Sequence, residues 1–175
     1  MNQMTDKEKT AEILKRISIM KNGHVNDDLI KIKEFRLGSG YGGFSQQRID
    51  CFAISPNAGN KTITYEIKVS KADFRNDLKK PDKQVPARCF SNEFYYCTPK
   101  GLLKREEIPI WAGLLEFDLS EPIEYGGYYT DVKAMVTKPA PVFDKCQPNW
   151  GMVISAYRNG YMKASREFNE SIISE

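Results

Sequence analysis

The sequence predicts an α/β fold in the broad sense that includes α+β. Three stretches carry that prediction. "RIDCFAISPNAGNKTITYEIKVS", Arg48 to Ser70, reads as two alternating segments around a turn rich in Pro, Asn and Gly. A helical stretch and then "NEFYYCTP" follow it, and strand, helix, strand is the order of a crossover between parallel strands. At the N-terminus, Thr5 and Glu8 have the spacing of a capping box ahead of an apolar stripe, which predicts a helix outside the sheet.

Taken in order, that first helix carries Ala11, Ile13, Leu14 and Ile17 on its inner side and runs to a stop at Asn22-Gly23. "LIKIKEFRL", Leu29 to Leu37, alternates apolar and charged residues as a first strand does, and "GSGYGG" must then be a loop. No Gly-Lys-Ser/Thr follows these glycines, so the loop lacks the spacing of a phosphate cradle. Strands two and three are expected over Gln47 to Ile54 and Thr62 to Ser70, joined through Pro56, Asn57, Gly59 and Asn60. Ser70 caps the next helix with Asp73 three residues on, Phe74 and Leu78 form its inner edge, and Pro81 limits it. "AGLLEFDL" and "YYTDVKAMV" read as further strands. The tail from Asn149 has helical spacing in Trp150, Val153, Ile154, Tyr157 and Tyr161, with Gly160 as a possible break. One domain over 1–139 and a helical appendage over 140–175 of unassigned role are the expected organisation.

Composition excludes several classes. Charged residues make up 28% and hydrophobic ones 41%, as in globular proteins, and no apolar run approaches the roughly 18 to 20 residues of a membrane span. The N-terminus mixes acids and bases without an apolar signal core, so the expectation is a cytoplasmic protein. Four cysteines, Cys51, Cys89, Cys97 and Cys146, form no CxxC pair and are expected to be free thiols. A single histidine, His24, cannot build a two-histidine zinc site, and no GxSxG surrounds a serine. Net charge is only +3, but Lys68 to Arg105 holds ten Lys or Arg against four Asp or Glu. That lobe either meets phosphates or is a solvated helix face.

The central segment poses a question of charge. With a turn centred near residue 58, Asp50 falls opposite Glu66, Phe52 opposite Thr64 and Ile54 opposite Thr62. Ile49, Cys51 and Ala53 then share a core face with Ile63, Tyr65, Ile67 and Val69, and Asp50, Thr64, Glu66, Lys68 and Ser70 share the other. One reading is a hairpin whose polar face meets water, with Lys68 neutralising its neighbours. Yet like charges directly opposite disfavour pairing by about 0.2 to 1 kcal/mol, and a divalent cation between them reverses the sign. Hard oxygen ligands suit Mg²⁺ or Mn²⁺, with Lys68 placed to act on a water that attacks phosphorus.

Asp50, a hairpin's length, then Glu66-Ile67-Lys68 resembles the D…(D/E)XK signature of the PD-(D/E)XK nuclease superfamily. The flanking blocks "EFRLGSGYGG", "YEIKVSKADFRNDLKKP", "FYYCTPKGLL" and "IPIWAGLLEF" are similar to those of its small phage and prophage proteins, related to the MmcB-type DNA-repair proteins. The likeness covers about Glu34 to Phe117, lacks the usual proline before Asp50, and fades beyond about residue 120. It implies a restriction-endonuclease-like core, a mixed central sheet flanked by helices, and Mg²⁺-dependent (or Mn²⁺-dependent) hydrolysis of phosphodiester bonds. Asp50 and Glu66 would be metal ligands, the Ile67 carbonyl part of the shell, and Lys68 the residue that orients the attacking water. One further catalytic acid is implied, Glu34 ahead of the glycine loop in preference to Glu12 on the first helix.

Lys71, Arg75, Lys79, Lys80 and Lys83 on the following helix, together with Arg48, are the expected phosphate contacts, and Tyr41 is a candidate base-stacking residue. Tyr95, Tyr96 and Trp111 read as core. The expected substrate is DNA, with RNA, a homodimer or a host protein as other partners. A catalytically inactive nucleic-acid-binding or host-defence-interfering protein on the same fold is the alternative function.

Overall fold

The computed structural model describes residues 4–20, 29–38, 47–56, 59–125 and 130–160. His24, Tyr41, the Asn22-Gly23 stop and the side chain of Lys83 lie outside the described residues.

Helix α1, Asp6–Ile19, opens with the expected capping box: the Thr5 hydroxyl accepts from the Glu8 backbone N–H, and the Glu8 carboxylate accepts from the Thr5 N–H at 2.7 Å. Strands β1 (Ile30–Arg36), β2 (Arg48–Ser55) and β3 (Lys61–Ile67) form an antiparallel meander. Gly59 and Asn60 both take left-handed backbone in the β2–β3 turn, at φ 62° and 57°. Two helices follow, α2 (Lys71–Leu78) and α3 (Pro81–Cys89), and the chain then enters β4 (Glu93–Pro99), parallel to β3. β5 (Gly113–Phe117) is parallel to β4. A two-stranded ladder of β6 (Glu124–Tyr125) and β7 (Thr130–Asp131) leads to β8 (Ala134–Lys138), which closes the sheet antiparallel to β5. The six-stranded mixed sheet has the order β1-β2-β3-β4-β5-β8.

Each face of this sheet has its own core. On one, Ile13 and Ile17 of α1 pack over Cys51, Ala53, Ile63, Tyr65, Ile67, Cys97, Leu115 and Phe117. On the other, Phe74 of α2, Ala87 of α3 and Met152 cover Phe35, Phe52, Phe94, Tyr96 and Leu114. Met152 belongs to α4, over 150–160, whose start is capped by Asn149: its side chain accepts from the Met152 N–H at 3.0 Å. The stretch before α4 has no regular secondary structure and is tied to the core, where the Phe143 N–H donates to the Asn92 carbonyl at 2.9 Å and the Cys146 N–H to the Cys89 carbonyl at 2.7 Å.

Four expectations need correcting. First, the described part of the last expected strand, 130–136, is not one strand: Lys133 turns left-handed, at φ 54°, and separates β7 from β8. Second, β3 ends at Ile67, and the single basic helix is two, because Pro81, which has no N–H, starts α3 at its first turn. Third, Ile49 packs with Phe52 and Phe35, opposite Cys51 and Ala53, so side-chain alternation breaks at Asp50. The break sits beside Glu34, whose φ of 49° is left-handed, and the two partner strands flip together: Phe35 pairs with Ile49 in the same register as Ile32 with Phe52. Fourth, Cys89 and Cys146 form a disulfide, whereas Cys51 and Cys97 are the buried free thiols expected of all four. No motif marks that bond in the sequence, because 57 residues separate its halves and only the return of the chain across α3 brings them together.

Candidate active site

The β2–β3 ladder has the expected register, with Phe52 opposite Thr64, Ile54 opposite Thr62, and Cys51 opposite Tyr65 at its end. One further step sets Asp50 opposite Glu66. There the backbone pairing gives way to a side chain: Asp50 Oδ2 accepts from the Ile67 N–H at 2.8 Å. The Asp50 carboxylate therefore spans the gap between β2 and β3, against the backbone beside Glu66. β3 meanwhile turns to its other neighbour, since the Lys68 N–H donates to the Cys97 carbonyl at 2.9 Å.

Glu66 and Lys68 point to the helical side, as residues two apart on an extended segment do. Lys68 Nζ lies 3.0 Å from Glu66 Oε1, 3.2 Å from Asp77 Oδ1 and 3.7 Å from Asp73 Oδ2. Glu66, Lys68 and Asp77 are all buried, whereas the Asp73 side chain is exposed. Asp77 is fixed from behind: Gln84 Nε2 donates to its Oδ2 at 2.8 Å and the Tyr96 hydroxyl to the same atom at 3.2 Å. Burial, and then the Asp77 charge and hydrogen bond, push the Tyr96 phenol up, so it remains a donor. Burial first, and then the nearby Cys51, Asp50 and Glu66, push the Cys97 thiol up. Gln47, Arg48 and Ile49 of the β2 end line a small cleft with Glu66, Asp77 and Gln84. Glu66 and Lys68 thus meet on the side of α2 and α3, and Asp50 lies against the backbone N–H of the residue between them.

Sequence reasoning missed Asp77, Gln84 and the Tyr96 hydroxyl. A signal is present for the first: Asp77 lies three residues after Phe74 and one before Leu78, so an acid stands inside the apolar stripe of α2. Neither candidate for an additional acid joins the pair. Glu34 is exposed and faces Arg48 at 3.5 Å. Glu12 holds Arg16 at 2.8 Å on α1, which packs on the opposite face. Arg16 is buried and donates to the carbonyls of Asp118 and Glu121, each at 2.8 Å, a structural tie. Arg75, Lys79 and Lys80 are exposed along α2 and its end, and Lys71 reaches Glu107 at 3.6 Å.

Among the described residues no group of three or more His, Cys, Asp or Glu side chains is placed to hold a metal ion. Two carboxylates on adjacent strands remain, all hard oxygen donors. Mg²⁺ fits such a set, because it keeps several waters and takes one or two carboxylates together with substrate phosphate oxygens.

No family model matches this sequence, and no curated protein does. A solved structure of a protein of unknown function from Silicibacter pomeroyi is similar in fold, with a TM-score of 0.60 at 15% identity, over 97% of this chain and 96% of that one. No helix among the described residues is long and apolar enough to cross a membrane.

Proposed function

We propose that the protein is a metal-dependent nuclease of the PD-(D/E)XK type, hydrolysing phosphodiester bonds in DNA. Asp50 bonded to the backbone N–H of Ile67, between a paired Glu66 and Lys68 at the end of the β2–β3 ladder, is the observation that supports this reading. A meander followed by a helical crossover to a parallel strand is also the order that a restriction-endonuclease-like core requires.

Asp50 and Glu66, with the Ile67 carbonyl, would hold Mg²⁺ or Mn²⁺. When bound, the ion polarises the scissile phosphate and stabilises its developing charge. Lys68 orients the attacking water and donates to a phosphate oxygen as negative charge builds there. Arg48 stands at the cleft mouth, and Arg75, Lys79 and Lys80 lie along the outer side of α2, where they follow the phosphate backbone without reading bases. Lys68 is only 3% exposed and already ion-paired, which favours the second reading, a nucleic-acid-binding protein without turnover.

Nicking of supercoiled plasmid in Mg²⁺ or Mn²⁺ separates the two. The parent should nick, and Asp50→Asn and Glu66→Gln should each lose about a hundredfold or more in rate, as expected when transition-state charge stabilisation is removed. A parent that binds DNA but cleaves it in neither ion supports the binder, and turnover indifferent to both substitutions removes the site.

A further inference from the structure

We infer that Asp77 is the positioning residue of this site, a fixed second counter-ion that holds Lys68 in place when Glu66 turns to another cation. The inference rests on the reading of Asp50 and Glu66 as the metal-binding pair. Lys68 Nζ sits between Glu66 Oε1 at 3.0 Å and Asp77 Oδ1 at 3.2 Å. A buried ammonium needs a carboxylate close by, since removing one partner of a buried pair leaves an uncompensated charge. Glu66 cannot fill that role and ligate a divalent ion equally well, because the ion draws its charge away and repels the lysine.

Asp77 can fill it, because its two oxygens have separate duties. Gln84 and Tyr96, both neutral donors, meet Oδ2 at 2.8 and 3.2 Å, which leaves Oδ1 directed at the ammonium. Gln84 comes from α3 and Tyr96 from β4, so the carboxylate is braced by two elements that the metal pair does not use. Asp73 also approaches Lys68, but at 3.7 Å and from an exposed side chain, where water screens it. The expected division is that Glu66 is the exchangeable partner and Asp77 the permanent one.

The decisive experiment needs no metal. Glu66→Gln removes the exchangeable charge as a bound cation would, and Asp77→Asn keeps an oxygen for Gln84 and Tyr96 while removing the permanent charge. In denaturant unfolding of the full chain with EDTA present, each single substitution should change the unfolding constant by about tenfold or less. The pair together should exceed the product of the singles by about a hundredfold, within the range of couplings measured between buried charged neighbours. Adding Lys68→Met to the pair should restore stability to within about tenfold of the parent, because no ammonium is left to neutralise. Asp73→Asn should be nearly silent.

Simple additivity of Glu66→Gln and Asp77→Asn overturns the inference, as does a triple variant no more stable than the double one. Mn²⁺ titration by calorimetry is the second arm. Asp77→Asn should weaken Mn²⁺ binding about tenfold in the parent and leave it unchanged in the Lys68→Met background. A parent that takes up no Mn²⁺ removes the metal reading itself, and an effect of Asp77→Asn that persists without Lys68 removes Asp77 as a residue acting through the lysine.

Discussion

At Gly113 no side chain fits: a Cβ there would lie 2.4 Å from the Tyr95 ring and 2.7 Å from the Ala140 backbone nitrogen. Tyr95 cannot easily yield, because its hydroxyl accepts from the Ala140 N–H at 3.3 Å. Gly113→Ala should therefore destabilise by about 1 to 3 kcal/mol, the usual cost of overpacking, as read from urea unfolding. The thiols give a second test at this scale. Burial first, and then the balance of nearby charges, pushes Cys51 up to about 12 from an ordinary 9.0. A group with a raised folded-state value contributes stability that is complete below pH 9 and is lost as pH rises towards 12. Iodoacetamide at about pH 8.5, near the ordinary thiol value, should accordingly modify neither Cys51 nor Cys97 in the native protein and both once it is unfolded, counted by mass spectrometry. The β2–β3 register was legible because a ladder register is arithmetic once the turn is placed. Ile49 was not, because a left-handed residue in the partner strand cancels the period of two on which that arithmetic relies.

The helix after β3 shows what patterns can and cannot supply at the level of an element. Its start was readable, since the Ser70 hydroxyl accepts from the Asp73 N–H at 3.2 Å as the capping spacing requires. Its division was readable only in part: Pro81 stops α2, but "PDKQVPARC" carries a second proline, Pro86, that argues against the helix it nevertheless joins. Burial of Ala87 against the sheet outweighs propensity there. The basic residues of α2 lie outside this packing, and their role is open to a direct test. If Arg75, Lys79 and Lys80 touch phosphates, changing all three to Ala should weaken binding to two unrelated duplexes alike. The log–log salt slope should then flatten by roughly one unit for each phosphate no longer neutralised. An unchanged slope, measured in Ca²⁺ at several salt concentrations, would move the nucleic-acid surface away from α2.

The described residues of the molecule form three layers, α1, the sheet, and α2 with α3 and α4, and long-range ties that no local pattern announces hold α1 and the segment before α4. Arg16 pins α1 to the carbonyls of Asp118, Glu121 and Val132, and Cys89–Cys146 pins the segment before α4 to α3. A crosslink that closes a loop of this length stabilises chiefly by restricting the unfolded chain, so a dithiol reductant should lower unfolding stability by about 2 to 4 kcal/mol. Cys89→Ser should reproduce that loss and make the protein indifferent to the reductant. The ties matter to the site because Asp77, Gln84 and Tyr96 sit on three different elements, and only a closed helical layer keeps them around Lys68. Anomalous diffraction from crystals soaked in Mn²⁺ tests the account most directly. It predicts a peak between the carboxylates of Asp50 and Glu66, with Lys68 still against Asp77. A peak elsewhere, or none at saturating Mn²⁺, would contradict it.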